Sequence, residues 1–143
     1  MSITTTTRLN FRGRAREALD FYAAVFGGEV MAFSFAQGGD EQDSADGAVA
    51  DQIKWGGVRA PGFSVMAFDV PPGRAHDPGT DAVYVSVRGD DPGEITRYWD
   101  GLAEGGTVRA ALGPAGYAPL YGMVTDRFGV TWVLDVLPPQ LVG

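Results

Sequence analysis

The chain repeats itself. LNFRGRAREALDFYAAVFGGEV, residues 9–30, and VSVRGDDPGEITRYWDGLAEGGTV, residues 85–108, share one layout. Each starts as an extended apolar run, passes an Arg-Gly pair, enters a segment with helical patterning and leaves it on Gly-Gly. The ends of the halves echo each other too: VMAFDVPP at 65–72 resembles TWVLDVLPP at 131–139. A duplicated supersecondary unit restricts the fold sharply, because each copy must be able to form the same sheet-and-helix layer.

Within each half the periodicity assigns elements. Ala15, Leu19, Tyr22, Ala23 and Phe26 recur at helical spacing, predicting a helix over 14–26 that Gly27 and Gly28 stop. A second helix is predicted over 92–104, with Ile95, Tyr98, Trp99 and Leu102 as its apolar stripe. Asp91 suits its N-cap, Pro92 its first position, and Glu94 gives a capping-box-like pattern. Segments 6–11, 29–36, 49–58 and 63–70 read as strands of the first half; 82–87, 107–112, 120–125 and 130–136 read as their counterparts. The prediction is α+β, a single domain over 1–143 made of two βαβββ repeats, 1–72 and 80–138. The acidic stretch GGDEQDSADG, 38–47, reads as a mobile loop, and PPGRAHDPGTD, 71–81, as the link between halves.

Composition narrows the functional classes. A net charge of −7 argues against a nucleic-acid partner. Arg8, Arg12, Arg14 and Arg16 cluster, but they read as a solvated helix start. No apolar run is long enough for a membrane span, and the N-terminus lacks a secretory pattern. There are no cysteines, which removes disulfides and thiolate chemistry and fits a cytoplasmic protein.

The residues at 9–30, with EALDFYAAVFGGE, and at 121–136, YGMVTDRFGVTWVLDV, resemble the PhnB-like branch of the vicinal oxygen chelate superfamily, which includes glyoxalase I, extradiol dioxygenases and bleomycin-resistance proteins. The resemblance implies that the mixed sheets curl around a cavity, and that two chains pair as a homodimer. In metal-dependent relatives, inward-facing strand positions supply four ligands, usually His and Glu, two from each half. Carried across, those positions fall at Thr7, Ala67, Val83 and Val133. Aliphatic side chains have no lone pairs and a threonine hydroxyl is a poor ligand, so no metal and no cofactor is expected. PhnB-like proteins often place a histidine in the third strand; here that region reads VADQIKWGG, with Asp51 and Gln52.

Three functions compete. The first is a metal-independent binder of a small apolar or aromatic molecule, with Asp51, Trp55, Tyr84, Tyr121 and Trp132 as its contacts and GPAGYAPLYG, 113–122, as a lip. On this reading Asp51, Ile53 and Trp55 share one strand face. The second is an enzyme acting on a small substrate, a metal-dependent or acid–base lyase, isomerase or dioxygenase, in which Asp51 or a bound metal does the work. The third is a ligand-free structural dimer. His76, the single histidine, reads as an exposed residue of the link.

Overall fold

The computed structural model describes residues 2–138. The chain divides into Met1–Pro78 and Gly79–Gly143. The first unit runs β1 (Thr7–Phe11), α1 (Ala15–Phe26), β2 (Glu29–Ser34), α2 (Phe35–Gly38), α3 (Glu41–Ala45), β3 (Ile53–Ala60) and β4 (Phe63–Asp69). Its sheet has the order β1-β4-β3-β2, with β1 parallel to β4 and the other pairs antiparallel. The second unit runs β5 (Val85–Gly89), α4 (Pro92–Ala103), β6 (Thr107–Gly113), β7 (Leu120–Thr125) and β8 (Thr131–Val136). Its order, β5-β8-β7-β6, repeats the first, again with one parallel pair. Apart from the short α2 and α3 inserted in the first, both halves are βαβββ with an open mixed sheet, as the duplication predicts. No helix among the described residues is long and apolar enough to cross a membrane.

The apolar stripe of α1 buries Ala15, Ala18, Leu19, Tyr22 and Phe26. It packs on one face of its sheet, where Phe26 stacks on Phe63 at 3.8 Å. Gly27 ends the helix in the left-handed conformation, φ 76°, and donates its N–H to the Ala23 carbonyl. The start of α1 is different. Arg14 gives no side-chain cap, and the carboxylate of Asp69 in β4 does that work from a distance. Its Oδ1 accepts the N–H groups of Gly13 and Ala15, at 2.7 and 3.0 Å, and its Oδ2 that of Ile53 at 2.9 Å. In the second unit Asp91 caps α4 locally, accepting from the Gly93 N–H at 2.9 Å.

Strand pairing defines the repeat. Gly56 pairs with Ala67, which pairs with Leu9; Gly122 pairs with Leu134, which pairs with Val87. Gly56 and Gly122 are therefore equivalent, and each lies beneath its helix: a side chain at Gly56 would run into Leu19, and one at Gly122 into Trp99. The same pairing corrects the match of FDV with LDV. Asp69 corresponds to Val136, not to Asp135. One residue of slip turns every side chain to the opposite face.

Three segments of the first unit depart from the sequence reading, and in the second β5 starts at Val85, not at 82. β2 ends at Ser34 because SFAQ forms a capping box: Ser34 Oγ accepts the Gln37 N–H and Gln37 Oε1 accepts the Ser34 N–H. The stretch read as a mobile loop contains a second box, in which Asp40 Oδ1 accepts the Asp43 N–H at 2.8 Å and Asp43 Oδ2 accepts the Asp40 N–H at 3.0 Å. β3 starts at Ile53, not at 49, since the Gln52 N–H folds back onto the Val49 carbonyl.

Gly122→Ala tests the close helix approach. Its new Cβ would lie 2.7 Å from Trp99 Cζ3 and 3.0 Å from Leu112 Cα. Overpacking of this kind costs about 1–3 kcal/mol, so the urea midpoint should fall, while Gly113→Ala, facing open space, should leave it nearly unchanged.

Candidate functional site

The face of the first sheet away from α1 carries Arg8, Asn10, Met66 and Phe68, by alternation from the helix-packed Leu9, Val65 and Ala67. A cavity of about 340 Å³ opens there, walled by Arg8, Asn10, Phe35, Lys54, Phe68, Arg74 and His76, with Asp43, Asp69 and Asp77 among its other lining residues. A bulge delivers Lys54 to it. Phe33 pairs with Trp55 but Ser34 pairs with Ile53, leaving Lys54 as the extra residue of β3. The bulge also puts Ile53 on the helix side with Gly56 and Val58, and Trp55 on the other face.

Asp43 organises one wall. It is 1% exposed. Lys54 Nζ lies 2.7 Å from Oδ2, and Arg74 Nη2 lies 2.9 Å from Oδ1. Arg74 also grips Asp46 through Nε at 2.8 Å, and its carbonyl accepts from Arg12. Burial opposes ionisation of Asp43, yet the hydrogen bonds from Lys54, the Asp40 N–H and Arg74 outweigh it and hold this carboxyl well below the usual carboxylate range. Arg8 is held differently. Its Nε donates to Asn10 Oδ1 at 3.1 Å and its Cζ lies 3.4 Å from the Phe68 ring centroid. Burial, then the like charge of Arg74, lowers its pKa from the ordinary guanidinium value.

The predicted site residues are scattered. Asp51 lies in an exposed turn ahead of β3, so it is neither buried nor on a strand face. Trp55 is half-buried beside Phe33, ring centroids 5.8 Å apart, and is not among the residues walling the cavity. Trp132 is a correction: it is 0% exposed and on the helix side of the second sheet, donating its Nε1–H to Asp126 Oδ2 at 2.9 Å. Tyr84 precedes β5, with the Arg109 guanidinium 5.7 Å from its ring. Tyr121 lies on the face of the second sheet away from α4, edge-on to Tyr117 at 6.0 Å. Beside them Asp135, 3% exposed, accepts from Arg88 at 3.2 and 3.4 Å and from the Tyr117 hydroxyl at 3.2 Å. Burial first, then Asp135, pushes the Tyr117 phenol up. His76, read as exposed, is half-buried at the cavity wall.

The metal positions carried over from the resemblance also need correction. Thr7 and Ala67 are in register with the helix side of the first sheet, and Val83 lies ahead of β5, 75% exposed. Val133 does lie away from α4. The β1–β4 and β5–β8 pairs on the faces away from the helices are Arg8 with Met66, Asn10 with Phe68, Ser86 with Val133 and Arg88 with Asp135. Asp135 is the one carboxylate in these four pairs, and it accepts from Arg88 and Tyr117, so these residues do not fit a divalent ion. Among the described residues no group of three or more His, Cys, Asp or Glu could hold one.

Comparison with known proteins gives the family. The sequence profile of the 3-demethylubiquinone-9 3-methyltransferase family matches residues 3–134. Protein YjdN of Escherichia coli K12 is 30% identical over 141 residues, 92% of this chain and 94% of that protein. The structure of PA1353 from Pseudomonas aeruginosa is 32% identical with TM-score 0.82, covering 95% of this chain and 98% of that one. The PhnB protein from Bacillus cereus is 26% identical with TM-score 0.74, covering 94% and 99%. At 12% identity, a glyoxylase/bleomycin resistance protein/dioxygenase domain from Frankia sp. EAN1pec shares the fold, with TM-score 0.64 over 97% and 94%.

Asp43→Asn tests the clasp. Amides at 40–46 should exchange on the order of tenfold faster, read by hydrogen exchange. The sign with pH follows from the depressed carboxyl. The clasp contributes fully above the unfolded carboxylate value of about 3.9 and is lost as pH falls toward the folded value, so the wild type should lose its advantage over Asp43→Asn in strong acid.

Proposed function

Because the chain belongs to the 3-demethylubiquinone-9 3-methyltransferase family, the PhnB-like branch of the vicinal oxygen chelate superfamily, we propose that it binds a small organic molecule in the first-unit cavity through side chains, without a resident metal ion. The observation that supports this is the cavity itself. Its volume, about 340 Å³, falls within the range of small-ligand sites. Phe35 and Phe68 give it apolar surface; Arg8, Asn10 and Lys54 give it oriented donors. The expected ligand is therefore amphipathic, not simply apolar.

A catalytic reading has one observation in its favour. His76 brings an imidazole to the cavity wall, and imidazole is the side chain best suited to proton transfer near neutral pH. In that case His76→Gln would abolish turnover while leaving affinity nearly intact. Asp51 has no such support.

A thermal-shift screen of aromatic and amphipathic compounds on chelator-treated protein tests the binding reading. A ligand at 100 times its Kd should stabilise the folded chain by about 2.7 kcal/mol. Amide shifts should centre on residues 8, 10, 54, 68 and 74. Hits that need added metal, or that perturb only residues 85–136, would defeat the proposal. Methyl transfer to 3-demethylubiquinone would replace it with the activity the family is named for.

A further inference from the structure

We propose that the molecule held in the first-unit cavity carries an oxyanion, a carboxylate or phosphate-type group, and that Arg8 with Asn10 receives it while Phe68 and Phe35 hold an aromatic or apolar body. This rests on the first-unit cavity being the binding site.

The argument is an accounting of charge and hydrogen bonds around one cavity. Its lining includes the cations Arg8, Lys54 and Arg74. Lys54 and Arg74 are committed to Asp43, and Arg74 to Asp46 as well. The Asp69 carboxylate is committed to the backbone N–H groups of Gly13, Ala15 and Ile53. Asp77 lies in the chain segment that follows Arg74 at the cavity. Arg8 differs from the other two cations: among the described residues no carboxylate lies within ion-pair distance of it. Its partners are the neutral Asn10 amide and the Phe68 ring, and its charged neighbour is another cation, Arg74.

This arrangement suits recognition. Stacking on Phe68 and the bond from Nε to Asn10 hold the guanidinium, and among the described residues its two terminal nitrogens make no hydrogen bond. A fixed guanidinium edge matches a carboxylate or phosphate with two parallel hydrogen bonds. An incoming oxyanion would also relieve the repulsion between Arg8 and Arg74. The chain as a whole carries −7, so a local cationic point is the feature that could hold an anion against that background. An anion there would leave Phe35, and the part of Phe68 that Arg8 does not cover, to contact the remainder of the molecule.

The test uses the full chain and matched probes: benzoate, phenyl phosphate, neutral benzamide and inorganic phosphate, each titrated calorimetrically against wild type, Arg8→Gln and Arg8→Lys, with circular dichroism confirming that the variants fold. The expected result is that benzoate or phenyl phosphate binds the wild type at least tenfold more tightly than benzamide. Arg8→Gln should erase that preference, and Arg8→Lys should restore only part of it. Phenyl phosphate against benzoate distinguishes the two kinds of oxyanion, and inorganic phosphate shows how much the aromatic body adds. If benzamide binds as well as benzoate and Arg8→Gln changes nothing, the oxyanion inference is overturned while the cavity reading survives. If no probe perturbs the amides of residues 8, 10 and 68, both are overturned.

Discussion

The first unit depends on one buried carboxylate. Asp69 ends β4, yet it caps the start of α1 through Gly13 and Ala15 and fixes the start of β3 through Ile53. Three charge-assisted bonds hold a strand end, a helix start and a second strand at one point. Asp69 itself is nearly inaccessible, 4% exposed, so its desolvation must be offset by these donors. The cavity is built next to this junction. Arg8 and Asn10 come from β1, which pairs with β4, and Lys54 follows directly after the anchored Ile53. The spacing of cavity residues is therefore set by a group that needs no ligand to justify it.

The part of this arrangement legible in the sequence is the part governed by local chemistry. Both long helices follow from their apolar stripes and glycine stops, and Asp91 caps α4 as its position before Pro92 suggests. The TDRFG turn is legible for the same reason: Asp126 Oδ1 accepts the N–H groups of Phe128 and Val130, and Gly129 takes φ 88°. The capping boxes at Ser34–Gln37 and Asp40–Asp43 are equally local, yet they run against the strand expected over 29–36 and the loop expected over 38–47. In the second the acidic composition masked the signal, since Asp43 looks like one more surface charge until its partners are known.

What sequence could not supply was face assignment. Strand alternation has a period of two, so any single insertion exchanges inside for outside. The bulge at Lys54 is such an insertion, and it moved Trp55 away from Ile53. The recurrence of Asp-Val at the ends of both halves invited a superposition that pairing contradicts by one residue. Trp132, read as an aromatic pocket contact, belongs on the helix side of its sheet instead. The cavity was illegible for a different reason. Arg8, Lys54 and Arg74 are far apart in sequence, and only the sheet order brings β1 and β3 to opposite sides of β4.

The corrected register gives the two halves unlike roles. Asn10 and Phe68 in the first sheet correspond to Arg88 and Asp135 in the second. At these equivalent positions one half has an amide and an aromatic ring, with Arg8 stacked on that ring; the other has an arginine closed onto a buried carboxylate. A guanidinium satisfied by its own carboxylate offers little to an external anion, because a ligand would have to displace a partner already in place. A guanidinium held by a ring and an amide retains its charge for something else. The two sheets thus share one order, yet at matched positions Arg88 meets a carboxylate while Arg8, where the second sheet has Ser86, meets a ring and an amide.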